Sequence, residues 1–337
     1  MRRNLCLPIL LVAATSIAVT AATLATTPAR RAEMADPHRV VGNDSCVKCH
    51  ADEVRTWSAT PHARTFREMH RRPEAKQIAA RLGLRSIKHD GRCVACHYTT
   101  KSTPADPAPH AIAGISCESC HGAAAGWVDL HADFGPGRTR ETEDPAHRAQ
   151  RLHRSIAAGM RNPLNPFTVA QSCLRCHTTQ DEQLVNVGGH SVGSPHFEFV
   201  SWSQGTVRHN FLSGSANRVN SPAELRVMFV AGIIAEVEAG LRATSLATAK
   251  ADYGINAATR TAKAITKLKS VAAKIDSPHV DRILADLTGV QLKLNNAAPL
   301  RAAADRVATH GTSLGDTATG QTWTALDPFI PSPSRYK

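Results

Sequence analysis

The sequence carries four copies of one short motif, CxxCH, in which two cysteines three positions apart are followed directly by histidine. The first to fourth motifs occupy residues 46–50, 93–97, 117–121 and 173–177. Two thiols at this spacing can add to the two vinyl groups of one haem, and the adjacent histidine can bind the iron. Random placement of the 9 Cys and 17 His would give roughly 0.01 such motifs. The pattern therefore predicts four haem c groups, attached through Cys46, Cys49, Cys93, Cys96, Cys117, Cys120, Cys173 and Cys176, with His50, His97, His121 and His177 as proximal iron ligands.

Cysteine pairs have two other common uses. Eight cysteines in an exported chain can form disulfides, and CxxC pairs can hold structural zinc. Neither use requires a histidine directly after every second cysteine, so both are disfavoured. The remaining cysteine, Cys6, lies in the N-terminal apolar segment and is interpreted as one of its apolar residues.

The N-terminus predicts export. A short basic stretch, which contains Arg2 and Arg3, precedes an uncharged and mostly apolar run from Leu5 to Ala25. We expect residues 1–25 to be a signal peptide cleaved near its C-terminal end, although the run has about the length that spans a bilayer and is also compatible with an N-terminal anchor. Residues 26–40 read as a linker. The predicted location is the periplasm.

The basic composition does not indicate nucleic-acid binding. The formal charge of +12 includes Arg2 and Arg3 of the export segment and omits eight haem propionates. With both corrections the net charge falls to about +2. Local basic patches remain able to steer an acidic redox partner.

The expected fold is mainly α. Residues 41–220 are predicted to form a haem domain with little regular structure, in which the porphyrins supply much of the apolar surface. Short helices are expected at 51–57, from Thr60-Pro61 onward and between Pro73 and Gly83, and strands at 185–190 and 197–202. Residues 221–312 predict a four-helix bundle with outward-facing charges, opened by a capping box at Ser221 and stopped by Gly311. Residues 313–337 are expected to be an extended tail.

The second ligand of each iron is expected to be histidine. After the proximal histidines, 13 His remain against 5 Met. Pairs of histidine ligands give lower potentials than His/Met and close the iron to small molecules. His62 lies 12 residues after His50, about 18 Å if helical, which is too far to fold back onto the same iron.

Two stretches resemble the tetrahaem cytochrome c-554 family: CVKCHADEVRTWSATPHA, which contains His62, and CVACH with GISCESCHG downstream of it. The resemblance covers roughly residues 41–210. It implies that His62 binds the iron of the third motif and that His131 binds the iron of the first. It also implies a five-coordinate second haem and a partner of the hydroxylamine oxidoreductase type.

Two iron sites remain open on the residues alone. His209 is the preferred distal ligand of the fourth haem because apolar residues around it can wall a porphyrin; His190 is the runner-up and His196 the third choice. For the second haem, His70, His89 and His110 are near enough in sequence to close the site. Any of these histidines can instead be a solvated loop residue.

The favoured function is an exported electron carrier that exchanges electrons with redox proteins, without catalytic residues of its own. One alternative is a haem enzyme that acts on nitric oxide, nitrite or hydroxylamine at an open second haem. Another is an electron-entry or docking subunit of a larger complex, with the bundle as its platform. No nucleic-acid partner is expected, and membrane association only if the N-terminal segment is retained.

Overall fold

The computed structural model describes residues 35–209, 212–213 and 216–337. The predicted export segment and residues 26–34 of the linker lie outside the described residues. The chain is 58% helix and 3% strand, which confirms the mainly α prediction. The described residues belong to one compact unit. Among the described residues, none of the helices combines the length and apolarity needed to cross a bilayer.

The first half consists of short helices joined by turns, with a small hairpin between the second and third motifs. Strands β1 (Thr99–Lys101) and β2 (His110–Ala113) are antiparallel, as are β3 (Leu212–Ser213) and β4 (Ala216–Asn217). The helices are α1 (Asp44–Val47), α2 (Ala51–Ser58), α3 (Pro61–Glu68), α4 (Pro73–Arg81), α5 (Gly91–His97), α6 (Cys117–His121), α7 (Pro145–Ala157), α8 (Pro166–His177), α9 (Glu182–Asn186) and α10 (Phe199–Ser203). Thr60 caps α3 and accepts a hydrogen bond from the Ala63 amide, with Pro61 in the first turn, as the sequence predicts.

The C-terminal half contains the four predicted helices. They are α11 (Pro222–Ser245), α12 (Asp252–Ala272), α13 (Pro278–Asp286) and α14 (Ala297–Thr317). Ser221 and Glu224 form the expected capping box at the start of α11. Helix α11 is buried along most of its length, because it packs against α8, α12 and α14. The fourth motif lies at the end of α8, so the haem-binding half and the bundle share one hydrophobic core.

Neither stretch predicted as a strand is one: residues 185–190 are the end of α9 and the turn after it, and residues 197–202 contain most of α10. Asp181 caps α9 and Glu198 caps α10, each accepting hydrogen bonds from backbone amides of the first turn. Six residues of alternating polarity are too few to separate a strand from one or two helical turns. The acidic caps were the overlooked signal.

The predicted extended tail also differs. Helix α14 continues past Gly311 to Thr317, and Gly311 makes room for the ring of Phe167 where a side chain would stand. Residues Thr324–Phe329 form a 3₁₀ helix whose Leu326 is fully buried. Asp327 binds Arg226 of α11 through two hydrogen bonds of 2.6 and 2.9 Å. The bundle therefore buries one charged side chain of α11 by pairing it with the tail, where the sequence predicted outward-facing charges.

Candidate haem sites

Each motif places its reactive side chains on one face of the chain by helical geometry. Positions i, i+3 and i+4 of a helix share a face, and these are the two cysteines and the histidine of CxxCH. The last three motifs end α5, form α6 and end α8; the first begins in α1. No disulfide joins any two of the eight motif cysteines, so the disulfide alternative has no support among the described residues.

A second histidine faces the histidine of every motif. The ring centroids are 6.1 Å apart for His50 and His131, 6.3 Å for His97 and His190, 6.2 Å for His121 and His209, and 6.2 Å for His177 and His62. A metal–imidazole bond is about 2.0–2.1 Å long, and the ring centroid lies roughly 1 Å behind the nitrogen, so two rings on one metal ion have centroids roughly 6 Å apart. All four pairs are spaced for one iron between them.

The spacing alone does not identify an iron site. His89 and His110 are also 6.2 Å apart, as are His279 and His310, and neither pair includes a motif histidine. His110 is exposed and bonded to Asp106. What distinguishes the four pairs is that each joins a CxxCH histidine to one other histidine from a distant part of the chain.

Hydrogen bonds orient several of the rings. The Nδ1 atom lies 2.8 Å from the Ser191 carbonyl in His190, 2.7 Å from the Val207 carbonyl in His209 and 2.7 Å from the Ser194 hydroxyl in His177. A histidine that donates from Nδ1 presents Nε2, with its lone pair, to a metal. The two carbonyl contacts therefore fix the tautomer and the direction of the ligand atom in His190 and His209, and the Ser194 contact orients the ring of His177.

Burial keeps three of the motif histidines neutral, as metal binding requires. Burial lowers the pKa of His97 to about 4, with a smaller contribution from His190. Burial also lowers the pKa of His121 to about 4, with His209 as the next cause. It lowers the pKa of His177 to about 4 as well, with His62 as the next cause. Only the neutral imidazole has a lone pair for iron, so the partner histidines and the apolar surroundings favour the binding form.

His62 lies beside the fourth motif, although the resemblance implied the third. The backbone of His62 is tied to the chain just before the third motif: its carbonyl accepts a hydrogen bond of 3.1 Å from Ile115, and Gly114 leaves no room for a side chain there. Its ring, however, faces His177. The start of α3 thus passes beside the third motif and places the ring of His62 at the fourth motif. This corrects the expected pairing; the ligand role stays a prediction.

His190 lies beside the second motif and not the fourth. The loop before it packs onto α4, where the Gly188 carbonyl accepts a hydrogen bond of 2.8 Å from Arg81. A side chain at Gly188 would collide with Leu82 and the Leu184 carbonyl. The Gly188-Gly189 pair therefore allows the close contact that brings His190 to His97. The structure thus places an imidazole where the resemblance implied an open iron face.

His209 lies beside the third motif, so its preferred assignment to the fourth is also corrected. The apolar residues expected around His209 pack against a different histidine: the rings of Phe197 and Trp202 each lie 4.9 Å from the ring of His177. His209 is seven residues beyond Trp202 and reaches His121 instead. His196, the third choice, is exposed.

His131 lies beside His50, in the pairing that the resemblance implies. Its ring packs edge-on against Trp127 at 5.2 Å, and its carbonyl accepts a hydrogen bond from Arg151 of α7. Glu143, whose side chain is fully buried, binds that arginine at 2.6 Å. Hydrogen bonding to Arg151 lowers the pKa of Glu143 to about 2. This ion pair, which the sequence did not predict, holds the segment that carries His131.

The motifs meet one another in the order first, third, fourth, second. The thiols of Cys46 and Cys117 are within hydrogen-bonding distance, as are those of Cys96 and Cys176. Cys120 lies between these pairs: burial raises its pKa, and the charge on Cys176 contributes. The Ser172 hydroxyl, one position before the fourth motif, donates to the Cys120 carbonyl at 3.2 Å. The second and first motifs are therefore the two ends of the series.

Glu118, inside the third motif, is a structural residue that the sequence did not reveal. Its buried carboxylate accepts hydrogen bonds of 3.0, 2.8 and 2.8 Å from the amides of Val41, Gly42 and Ala124. These bonds tie the start of the haem half to the third motif. The first and third motifs are thereby held side by side.

A buried cation tests whether haem suits this interior. The Nε atom of Arg161 is buried and has no hydrogen-bond partner among the described residues. Burial, and then the charge of Arg175, lowers the pKa of Arg161. A guanidinium withdrawn from water needs polar or anionic partners. Haem propionates are anions, so the donor set, the ring spacing and this cation all fit the group.

Comparison with known proteins agrees with the motifs. Residues 45–122 match the family described as cytochrome c554 and c-prime. Cytochrome c-554 of Nitrosomonas europaea is 29% identical over 128 residues, which are 33% of this chain and 52% of that protein. C-type polyheme cytochrome OmcB of Geobacter sulfurreducens is 29% identical over 119 residues, 30% of this chain and 16% of that protein. The chain thus spans about half the length of the first relative and far less of the second. No solved structure matches the chain. Residues 45–122 thus resemble the cytochrome c554 and c-prime family, which supports the interpretation of the motifs as those of a c-type cytochrome.

Proposed function

We propose that the protein is an exported, periplasmic tetrahaem cytochrome that carries electrons between redox proteins. The observation that carries the proposal is the pairing of every CxxCH histidine with a second imidazole at 6.1–6.3 Å. Haem iron supplies one-electron chemistry, and two histidine ligands suit it to transfer rather than to substrate binding. The chain's own residues attach, orient and bury the four groups.

The order of the motifs supports a path through the molecule. The first motif is near the surface, because Cys49 is exposed and the His50 side chain is 47% exposed. The cysteines of the third and fourth motifs are partly buried, and Cys93 of the second motif is buried. Electrons enter or leave most readily where a haem edge approaches solvent. A series that runs from the first to the third, fourth and second motifs therefore has two ends for two partners. By resemblance alone, one partner is a donor of the hydroxylamine oxidoreductase type.

The two rival functions have less support. An enzyme acting on nitric oxide, nitrite or hydroxylamine needs an open iron, and His190 lies where a small molecule would bind at the second motif. A docking platform needs a free apolar surface, and the long apolar helix α11 is covered by its neighbours.

Haem counting tests the proposal. We expect protein produced with a c-type maturation system to give four haems per chain in a pyridine haemochrome assay, and to take up about four electrons in a reductive titration. The matched variant Cys93→Ser/Cys96→Ser should lose one quarter of the haem. An apoprotein mass, or a haem number that this variant does not change, would contradict the proposal. Immunoblotting of the periplasmic fraction tests the location.

A further inference from the structure

One segment beside the second motif is strongly basic. Residues 61–92 contain nine Lys or Arg against three Asp or Glu, an excess of six positive charges. That excess is half of the formal charge of +12 of the whole chain. The chain's positive charge is therefore concentrated in about a tenth of its length, not spread evenly over the surface.

The fold turns these charges outward. Helices α3, α4 and α5 enclose a small core that includes Ala79, Cys93 and Val94. Because the apolar side chains of the segment occupy this core, its basic side chains lie outside it. The six that define the basic face are Arg67, Arg71, Arg72, Lys76, Arg85 and Lys88, of which all but the half-buried Lys88 are exposed.

The basic face lies over the second motif. The Lys88 ammonium sits 4.1 Å above the ring of Phe66, which packs against the core that contains Cys93. Arg72 is near enough to His97 to contribute, after burial and His190, to its lowered pKa. The pKa of His70 is likewise lowered, first by burial and then by the charges of Lys88, Arg71 and Lys76. At least four residues of the face, Arg71, Arg72, Lys76 and Lys88, thus lie close to one end of the series of motifs.

The face has the charge of a docking surface but no apolar anchor. The large exposed apolar side chains among the described residues include Val47, Leu164 and Phe329, and none of them lies in residues 61–92. Segments that bind the membrane interface insert apolar side chains between the headgroups. A face that is charged without such side chains is suited to a soluble partner with the opposite charge.

We propose that the basic face docks an acidic redox protein, which exchanges electrons with the protein at the second motif. This proposal rests on the proposed electron-transfer function. Complementary charge raises the encounter rate and orients the partner, and the absence of an apolar anchor keeps the complex short-lived, as repeated turnover requires.

Charge reversal with a matched control tests the proposal. The test variant is Arg67→Glu/Arg71→Glu/Lys76→Glu; the control, Lys250→Glu/Lys263→Glu/Lys269→Glu, makes the same change in net charge at exposed lysines of the bundle half. The probes are flavodoxin hydroquinone, an acidic protein donor, and the inorganic oxidants ferricyanide and hexaammineruthenium(III). Rates are measured by stopped flow at low and high ionic strength.

We expect the test variant to react with flavodoxin roughly tenfold more slowly than the unmodified protein at low salt, with the difference shrinking at high salt. The test variant should also react more slowly with ferricyanide, which is an anion, but not with hexaammineruthenium, which is a cation. The rates of the control variant should stay within about twofold of those of the unmodified protein. A neutral variant, Arg67→Gln/Arg71→Gln/Lys76→Gln, should fall between.

Three results would overturn the proposal: equal slowing of test and control, no slowing of either, or loss of binding to phosphatidylglycerol vesicles with an unchanged flavodoxin rate. The last result would assign the face to a membrane. A preparation without haem would instead refute the proposed function, so the two failures are distinguishable.

Discussion

Removing His190 is the sharpest test of how the second iron is coordinated. The family resemblance implies an open site, whereas the structure places the His190 ring 6.3 Å from that of His97. If both rings bind, the unmodified protein is wholly low-spin and does not bind carbon monoxide. In His190→Ala the iron loses one of its two axial ligands and becomes high-spin.

The size of the effect follows from the number of motifs. One iron among four changes, so about one quarter of the haem absorbance and of the paramagnetic signal should convert to high-spin. The ferrous variant should bind one carbon monoxide per molecule. His190 is only half-buried, so added imidazole can enter the vacated position and restore the low-spin spectrum.

His110→Ala is the matched control. His110 and His89 are 6.2 Å apart, nearly the spacing of the proposed iron ligands, but neither belongs to a motif. This variant should leave every spectrum unchanged. The reasoning is refuted if the unmodified protein already has one quarter high-spin haem that binds carbon monoxide, or if His190→Ala remains low-spin without added imidazole.

Other contacts make separate predictions. Arg161→Gln should lower the midpoint potential of at least one haem, because a buried positive charge favours the less positive ferrous state; Arg161→Lys should keep it, as spectroelectrochemistry will show. The pKa of Glu143 is lowered to about 2, so its bond to Arg151 stabilises the fold above the unfolded pKa of about 4.3 and is lost as pH falls towards 2. The Glu143→Gln variant should have a lower free energy of unfolding at neutral pH, and this free energy should depend less on pH between about 4 and 2. Acid unfolding monitored by the Soret band measures both quantities. Gly311→Ala should destabilise the fold by about 1–3 kcal/mol in denaturant titration, since the new methyl group would meet the Phe167 ring at 2.5 Å.

The local features of the fold were predictable because they depend on neighbouring residues. The capping box at Ser221 and the Thr60-Pro61 helix start need only a few positions, and both are present. Short segments such as 197–202 were misassigned because one turn of helix and a short strand have similar patterns, and the Glu198 cap decides between them. The sequence therefore predicts single elements better than it predicts contacts between them.

The pairing of histidines depends on contacts between distant segments, and this is why it was only partly predictable. His131 follows the third motif in the chain, and its ring faces His50 of the first motif, as the resemblance implies. His62 and His209 take different partners from those expected. The ring of His62 faces His177 although the His62 carbonyl accepts a hydrogen bond from Ile115, just before the third motif. His209 lies beyond Trp202, which itself packs against His177, and reaches His121. The sequence positions of the histidines outside the motifs do not determine which motif each of them lies beside.

The second motif shows how a small local change can alter what such a cytochrome does. The close approach of α4 to Gly188 brings His190 into place, and a side chain at that glycine would meet Leu82 at 2.9 Å. Whether this iron is open or closed thus depends on one loop contact rather than on the motif itself. Since the proposed docking face lies beside the same motif, an iron bound by both His97 and His190 would leave the docked partner one reaction, the exchange of an electron. The geometry at Gly188 therefore links the position of His190 to the proposed role as a carrier.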